Sequence, residues 1–356
     1  MNMWRSRMAR AVLWAGLLSI PAACGYAQQV TEIEPGLYST GELKASAKIS
    51  PAKKLLVRSA TSLSGSLTVG TAEGSAVSLV YRIQARTDSK KKGFDYVDLI
   101  SVSMASVADE IRIEMRAPNP APWEENSDAG MVQAVLTVPP GCALDIEATS
   151  FDVTATGPFK EIVIPSSLGR LEISEVTNKL DISTANQRVS LVNIAGDISA
   201  ATTNAKLTAR SLRCGEKAAK LRNESGDIKV DDAKGELNIR NSYGRTEIGQ
   251  FTPTGAGSFI RSSSGPVMVD IASMTDGRVV IVNEFEDVEL RLPENLSAAL
   301  ALTVDEDGTI DVSQIQFAAD LVEHNHLNLR MGQGTGSISA SVRGKGNILV
   351  RGGSGE

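Results

Sequence analysis

An eight-residue pattern of polar and apolar positions recurs along the chain from residue 148 onward. Each copy begins with a polar turn, often has glycine at its fourth position, and ends with an apolar-polar-apolar triplet. Alternation of this kind is typical of a strand with one buried face, and a repeat of about 20 residues is typical of a solenoid. The spacing of the copies widens toward the C-terminus, and the ten copies begin at Ala148, Ser166, Thr184, Thr202, Asn223, Asn241, Ser262, Asn283, Asp305 and Gln333.

The aligned positions of these copies have different physical roles. We expect a positive φ at the fourth position, because six copies place glycine in the turn: Gly169, Gly226, Gly244, Gly265, Gly308 and Gly336. The sixth position is apolar in every copy except one, which predicts a buried column: Val153, Leu171, Val189, Leu207, Ile228, Thr246, Val267, Val288, Ile310 and Ile338.

A second apolar pair follows in the second half of several repeats. These pairs are Ile162 and Ile164, Leu180 and Ile182, Ile198 and Ala200, and Leu237 and Ile239. Two short strands per repeat cannot bury their own apolar faces, whereas stacked repeats can. The sequence therefore predicts an all-β fold, a β-solenoid or β-helix-like stack of about ten rungs, each roughly 18–22 residues long, with an N-terminal β cap. A rung spacing of about 4.8 Å would give a rod on the order of 45 Å long.

The chain divides into five predicted segments. Residues 1–27 have the layout of an export signal, with three arginines before an apolar run and a cleavage position after Ala27. Lipidation at Cys24 is the alternative to simple cleavage. Residues 28–54 form a polar, flexible lead-in. Residues 55–147 form a β segment that caps the stack, or alternatively a separate small β domain, followed by the solenoid over 148–350 and a tail over 351–356.

Composition and charge limit the cellular locations and the classes of partner that are compatible with this chain. The formal net charge is −6 and the isoelectric point is near 5.3, which argues against a nucleic-acid partner because phosphate binding needs clustered Lys and Arg. No stretch after the signal is long and apolar enough to cross a bilayer. The sequence therefore predicts an exported chain in the periplasm or at the cell surface, with no transmembrane segment in its mature form.

The region from Leu55 to Val350 resembles the putative-adhesin family of exported bacterial proteins. The similarity is carried by LLVRSATSLSGSLTVG at 55–70, by LTVPPGCALDIEATSFDVTATG at 136–157, and by the succession of copies that follows. The resemblance implies a β-solenoid exported to the envelope, and it brings no catalytic residues that could be transferred.

The seventh, outward-facing positions are the candidate binding residues. We predict a non-enzymatic protein whose polar flank binds a glycan, a cell-wall polymer or an envelope protein, without catalytic, cofactor or metal site. The flank consists of Thr154, Glu172, Ser190, Thr208, Lys229 and Glu247. A structural envelope scaffold without a ligand is one alternative.

A glycan-active enzyme is the other alternative. Glu289 and Asp311 occupy the seventh position of successive copies, and adjacent rungs would place them about 5 Å apart, a separation compatible with a retaining carboxylate pair.

The two cysteines that follow the export signal are Cys142 and Cys214, and their separation in the chain is four times the shortest spacing between copies. They should therefore occupy one column, four rungs apart. Four strand spacings correspond to a distance on the order of 19 Å, which is too far for an intramolecular disulfide.

Overall fold

The computed structural model describes residues 29–48, 54–107, 109–125, 127–255, 257–305 and 307–353, which form an all-β fold with one helix. The predicted signal peptide, including Cys24 and Ala27, lies outside the described residues. No helix among the described residues is long and apolar enough to cross a membrane.

The N-terminal part contains nine strands and the helix. They are β1 (Thr31–Glu34), β2 (Leu37–Ser39), β3 (Leu43–Lys48), β4 (Lys54–Ser59), β5 (Leu63–Thr71), β6 (Ala76–Arg86), α1 (Lys90–Leu99), β7 (Ser101–Val107), β8 (Glu110–Arg116) and β9 (Ala129–Val138).

The repetitive part contains the remaining strands. They are β10 (Ala143–Glu147), β11 (Ser150–Ser167), β12 (Leu171–Thr184), β13 (Val189–Thr202), β14 (Leu207–Cys214), β15 (Ala219–Asn223), β16 (Ile228–Gly235), β17 (Leu237–Asn241), β18 (Thr246–Pro253), β19 (Ser258–Ser262), β20 (Val267–Ile271), β21 (Arg278–Asn283), β22 (Val288–Pro293), β23 (Ala298–Val304), β24 (Ile310–Ser313), β25 (Ala318–Val322), β26 (His326–Met331), β27 (Gly336–Val342) and β28 (Ile348–Gly353).

From residue 153 to residue 288, strands of successive copies pair in parallel and in register. We call this set of pairings ladder 1. Its column runs, in order of pairing, through Leu67, Val153, Leu171, Val189, Leu207, Ile228, Thr246, Val267, Val288, Ile348 and Ile310, and all of these are buried except Ile310, which is half-buried.

The second strand of each repeat forms a separate parallel set, ladder 2, as the second apolar pair predicts. Its column runs through Ile164, Ile182, Ala200, Leu221, Ile239, Ile260, Ile281, Ala340 and Leu302. All nine are buried, and they belong to one continuous apolar core together with the buried apolar residues of ladder 1.

In each of five successive repeats, one residue with left-handed backbone lies between the strand of ladder 1 and the strand of ladder 2. Glu175, Asn193, Ser211, Asp232 and Gln250 all have φ between 49° and 61°, and they recur once per repeat. In β12 and β13 this residue lies inside one long strand, with ladder 1 before it and ladder 2 after it. Left-handed backbone costs a residue with Cβ roughly 1–2 kcal/mol, which packing of the repeats must offset.

The turn glycines have a different role from the predicted one. None of the six has a positive φ, so that prediction is wrong. Four of them lie against the backbone of the preceding repeat: a Cβ on Gly244 would overlap the carbonyl oxygen of Gly226, and one on Gly265 would overlap that of Gly244. Glycine is required there by close stacking of the turns.

The C-terminal copies do not continue in chain order. In ladder 1, β28 lies between β22 and β24, so Ile310 is opposite Ile348 rather than Val288. The copy beginning at Gln333 provides β27, which belongs to ladder 2 and lies between β21 and β23. Hence the prediction of ten successive copies is wrong for the last two, because the chain returns to pair with earlier strands.

The N-terminal segments are also more ordered than predicted. The sequence predicts a flexible lead-in over 28–54, but β1, β2 and β3 lie there, and β2 and β3 pair antiparallel with β6. Tyr38 of β2 is buried, with its ring 6.0 Å from that of Phe94 in α1. Burial of β2 and the antiparallel pairing of β2 and β3 with β6 therefore order a segment whose polar composition suggested flexibility.

Residues 55–147 pair directly with the repetitive part. β4 lies between β8 and β10 in ladder 2, and β5 lies between β9 and β11 in ladder 1. The capping role of this segment stays a prediction. At the other end, Arg351 and Gly353 belong to β28, so the predicted tail over 351–356 begins inside a strand.

Candidate functional site

The structure places the six residues of the predicted flank side by side. Each is directly opposite the next across a parallel strand pair, from Thr154 to Glu172 and onward to Glu247. Their backbone neighbours at the sixth and eighth positions are buried, whereas all six are half-buried or exposed. Because strands in a sheet are about 4.8 Å apart, the flank is a polar column on the order of 24 Å long.

The charges on the flank are compensated by ion pairs, one within the flank and one with the neighbouring Arg170. Lys229 Nζ lies 2.7 Å from Glu247 Oε1, and Arg170 Nη1 lies 3.8 Å from Glu172 Oε1. The remaining three members carry hydroxyl groups, and the hydroxyl of Thr208 donates to the carbonyl oxygen of Val189 at 3.3 Å. The flank therefore offers hydroxyls and neutralised ion pairs rather than a net charge.

The acidic patch of the enzyme alternative is not formed as predicted. Glu289 and Asp311 are both opposite Leu349, on its two sides, so a whole strand separates them. Two strand spacings correspond to about 9.6 Å between the backbones, rather than about 5 Å. The chain order of the copies suggested direct neighbours, and the insertion of β28 overturns this.

The carboxylate of Glu289 also forms ion pairs with two arginines. Its Oε1 lies 3.0 Å from Arg291 Nε and 3.8 Å from Arg351 Nη1. Both ion pairs engage the same carboxylate oxygen, so Glu289 is not a free carboxylate. Asp311 is exposed and has no ion pair among the described residues.

A basic column on ladder 2 was not found by sequence reasoning. Arg222 is opposite Arg240, and Arg240 is opposite Arg261, on three neighbouring parallel strands. All three are exposed. The signal was present in the sequence, since each arginine immediately precedes the start of a copy, and successive arginines lie one repeat apart.

The three arginines differ in their partners. Arg261 is hydrogen-bonded to the carboxylate of Glu284, and this hydrogen bond lowers the pKa of Glu284 below its ordinary value. Among the described residues, neither Arg222 nor Arg240 has an ion pair or a side-chain hydrogen bond. Both line two adjoining depressions of about 300 and 320 Å³.

The two cysteines are free. Cys214 is opposite Gly196, and strand register places Cys142 in the same column four steps away, so the predicted separation is consistent with the strand pairing. Burial raises the pKa of both thiols above the ordinary value. Within the described ranges, no group of three or more His, Cys, Asp or Glu side chains is arranged to hold a metal ion.

Comparison with known proteins gave structural similarities only. No family model matches the chain, and no curated protein matches it either. One similar solved structure is a putative cell adhesion protein from Clostridium sporogenes, with 11% identity, a TM-score of 0.24, and coverage of 88% of this chain and 100% of that one.

Two further structures have comparable similarity. A putative adhesin from Parabacteroides merdae has 8% identity and a TM-score of 0.34, with 87% and 95% of the two chains covered. A putative lipid binding protein from Parabacteroides distasonis has 9% identity and a TM-score of 0.26, with 87% and 96% covered. Because identities and TM-scores are this low, these similarities carry no argument about the function of this chain.

Proposed function

We propose that this chain is a non-enzymatic, exported, adhesin-like β-solenoid that presents the flank from Thr154 to Glu247 to a glycan. The observation that carries the proposal is the unbroken register of six outward polar residues across six parallel strands. In this reading the two ladders are two faces of one stack, and each repeat is one rung.

A regular column of side chains is suited to a polymer with a regular repeat. Hydroxyls at Thr154, Ser190 and Thr208 can donate to and accept from sugar hydroxyls. Fixed strands reduce the conformational entropy lost on binding, because the backbone that carries these groups is already ordered.

A glycan is favoured over a charged envelope polymer at this flank. Lys229 and Glu247 compensate one another, as do Arg170 and Glu172, so the flank has no excess charge to attract a polyanion or polycation. The enzyme alternative has no comparable support, because Glu289 and Asp311 are separated by Leu349.

Binding to immobilised neutral glycans tests the proposal. We expect the variant T154A/S190A/T208A to weaken binding by at least about tenfold, the equivalent of roughly 1.4 kcal/mol. The matched control S199A/S339A/S341A removes three half-buried hydroxyls from outward positions of ladder 2 and should bind as the wild type does.

Two outcomes would contradict the proposal. Equal loss of binding in both variants would show that the flank is not the binding surface. Binding at background level for the wild type on every glycan would favour the alternative function, a structural envelope scaffold that binds no ligand.

A further inference from the structure

We propose that the basic column of Arg222, Arg240 and Arg261 binds a linear acidic polysaccharide through its carboxylate groups. This surface belongs to ladder 2, whereas the flank of the proposed glycan site belongs to ladder 1. The inference therefore does not depend on the proposed function.

Stacked like charges repel one another and thereby favour binding of an anion. Neighbouring strands bring Arg222 and Arg240 about 4.8 Å apart at the backbone, and like charges opposite one another destabilise a sheet. Of the three arginines in the basic column, only Arg261 has a carboxylate partner among the described side chains, namely Glu284. The two other guanidinium groups are left available for a ligand.

The local charge balance favours an anion. Lys220 precedes Arg222 by two residues on the same exposed strand face, which gives four cations in the cluster. Among the residues that pair with these arginines or line the two depressions, the carboxylates are Glu284, which is paired, and Glu224. The cluster thus has four positive charges against two negative ones.

The geometry of guanidinium suits carboxylate. Arginine presents parallel N–H donors that bind both oxygens of one carboxylate, and a lysine in the same place provides only a point charge. A chain with a carboxylate on each sugar unit can place successive anions along a column of arginines, whereas a single small anion occupies one position only.

The surroundings of the column favour a sugar polymer over a phosphate polymer. Hydroxyl groups of Ser183, Thr203 and Ser242 line the depression that contains Arg222 and Arg240. Tyr243 and Phe285 are 65% and 60% exposed on the turns that follow β17 and β21. Exposed aromatic rings at the ends of these strands are available for stacking against sugar rings.

Titration of the purified mature chain with alginate, a linear polymer of uronic acids, tests the inference. We expect binding that weakens with increasing salt, because Debye screening acts on exposed charges. The variant R222Q/R240Q should bind at least about tenfold more weakly, and R222K/R240K should fall between this variant and the wild type, since lysine keeps the charge but loses the bidentate contact.

The control variant is R188Q/K206Q. Arg188 and Lys206 are exposed cations that immediately precede successive strands of ladder 1, so the control removes the same charge at the same one-repeat spacing. We expect this variant to bind alginate as the wild type does. All three arginine and lysine variants change exposed side chains, and thermal unfolding verifies that each is folded.

A failure of alginate binding at the basic column can be distinguished from a failure of the proposed glycan binding at the flank. Equal weakening by R222Q/R240Q and R188Q/K206Q would overturn the inference, since it indicates attraction by net charge alone. Stronger binding to a phosphate polymer such as DNA than to alginate would overturn the choice of an acidic polysaccharide. Neutral-glycan binding by R222Q/R240Q should be unchanged, whichever result alginate gives.

Discussion

Lys229 Nζ and Glu247 Oε1 lie 2.7 Å apart, joining two residues that are directly opposite one another on β16 and β18. The two residues are one repeat apart in the chain, and they occupy the seventh position of two successive copies. Their pairing makes part of the flank neutral and shows how parallel register converts a sequence repeat into a column of interacting side chains.

The Lys229–Glu247 pair should contribute little to stability. Both side chains are about one third exposed or more, and exposed ion pairs contribute about 0.2–1 kcal/mol in double-mutant cycles. We expect K229A, E247A and the double variant to give a coupling in that range, and to give less at high salt. Urea unfolding of the four proteins measures it, and a coupling above about 2 kcal/mol would contradict the exposed geometry.

Substitution of Gly244 by alanine should be strongly destabilising. The added Cβ would overlap the carbonyl oxygen of Gly226, and backbone cannot yield as a side chain does. We expect a loss of at least about 2 kcal/mol, in the range of severe overpacking.

The control for this substitution is Gly249→Ala, in β18 nearby. Its Cβ would be 3.5 Å from Asp231 Oδ1, an ordinary contact, and it should change stability by less than about 0.5 kcal/mol. Thermal unfolding compares the two variants. Equal behaviour would mean that the turns of successive repeats are not closely stacked.

A β-branched residue at the left-handed bend should lower the stability of the protein. Asn193 is exposed with φ of 56°, so Asn193→Val tests backbone conformation with little change in packing. We expect a cost of roughly 1–2 kcal/mol, and Asn193→Gly should equal or exceed the wild type in stability. Lys160→Val, at an exposed strand position, should be tolerated, and a cost equal to that of Asn193→Val would count against a left-handed bend.

The ion-pair cluster around Asp145 should make stability depend on acid pH. Burial alone would raise the pKa of Asp145, but hydrogen bonds from Lys54 at 2.6 Å and Arg58 at 3.0 Å outweigh it and lower the pKa below the ordinary 3.8. A depressed carboxylate pKa contributes stability above the unfolded-state value, and this contribution is lost as the pH falls through the folded-state pKa.

The matching experiment compares Asp145→Asn with the wild type across pH. The variant should be less stable at pH about 7, and the difference should shrink below pH about 4. Asp181→Asn removes an exposed aspartate of ladder 2 that has no ion pair among the described side chains, and it is the control. A difference between Asp145→Asn and wild type that is constant with pH would contradict the assignment.

The sequence contains enough information to predict the pairing where each repeat follows the last. Strict alternation and a regular repeat length specify which residues are opposite, as for Thr154 and Glu172. Thr246 breaks the apolar column in sequence, yet it is fully buried and its hydroxyl accepts a hydrogen bond from Asn241.

The same alternation could not tell one ladder from the other. The copy beginning at Gln333 has the turn, glycine and triplet of the others, but its strand pairs in ladder 2. Only the long-range return of β27 and β28 decides this, and it separates Glu289 from Asp311. Helix α1 was also missed, although Ser89 caps it by accepting from the Lys92 backbone at 3.5 Å.

The most direct test of the adhesin-like proposal is protease treatment of intact cells, followed by fractionation and detection of the mature chain. We predict digestion on whole cells, since an adhesin must reach its partner from the outer surface. Survival of the chain until the envelope is broken would contradict an adhesin role.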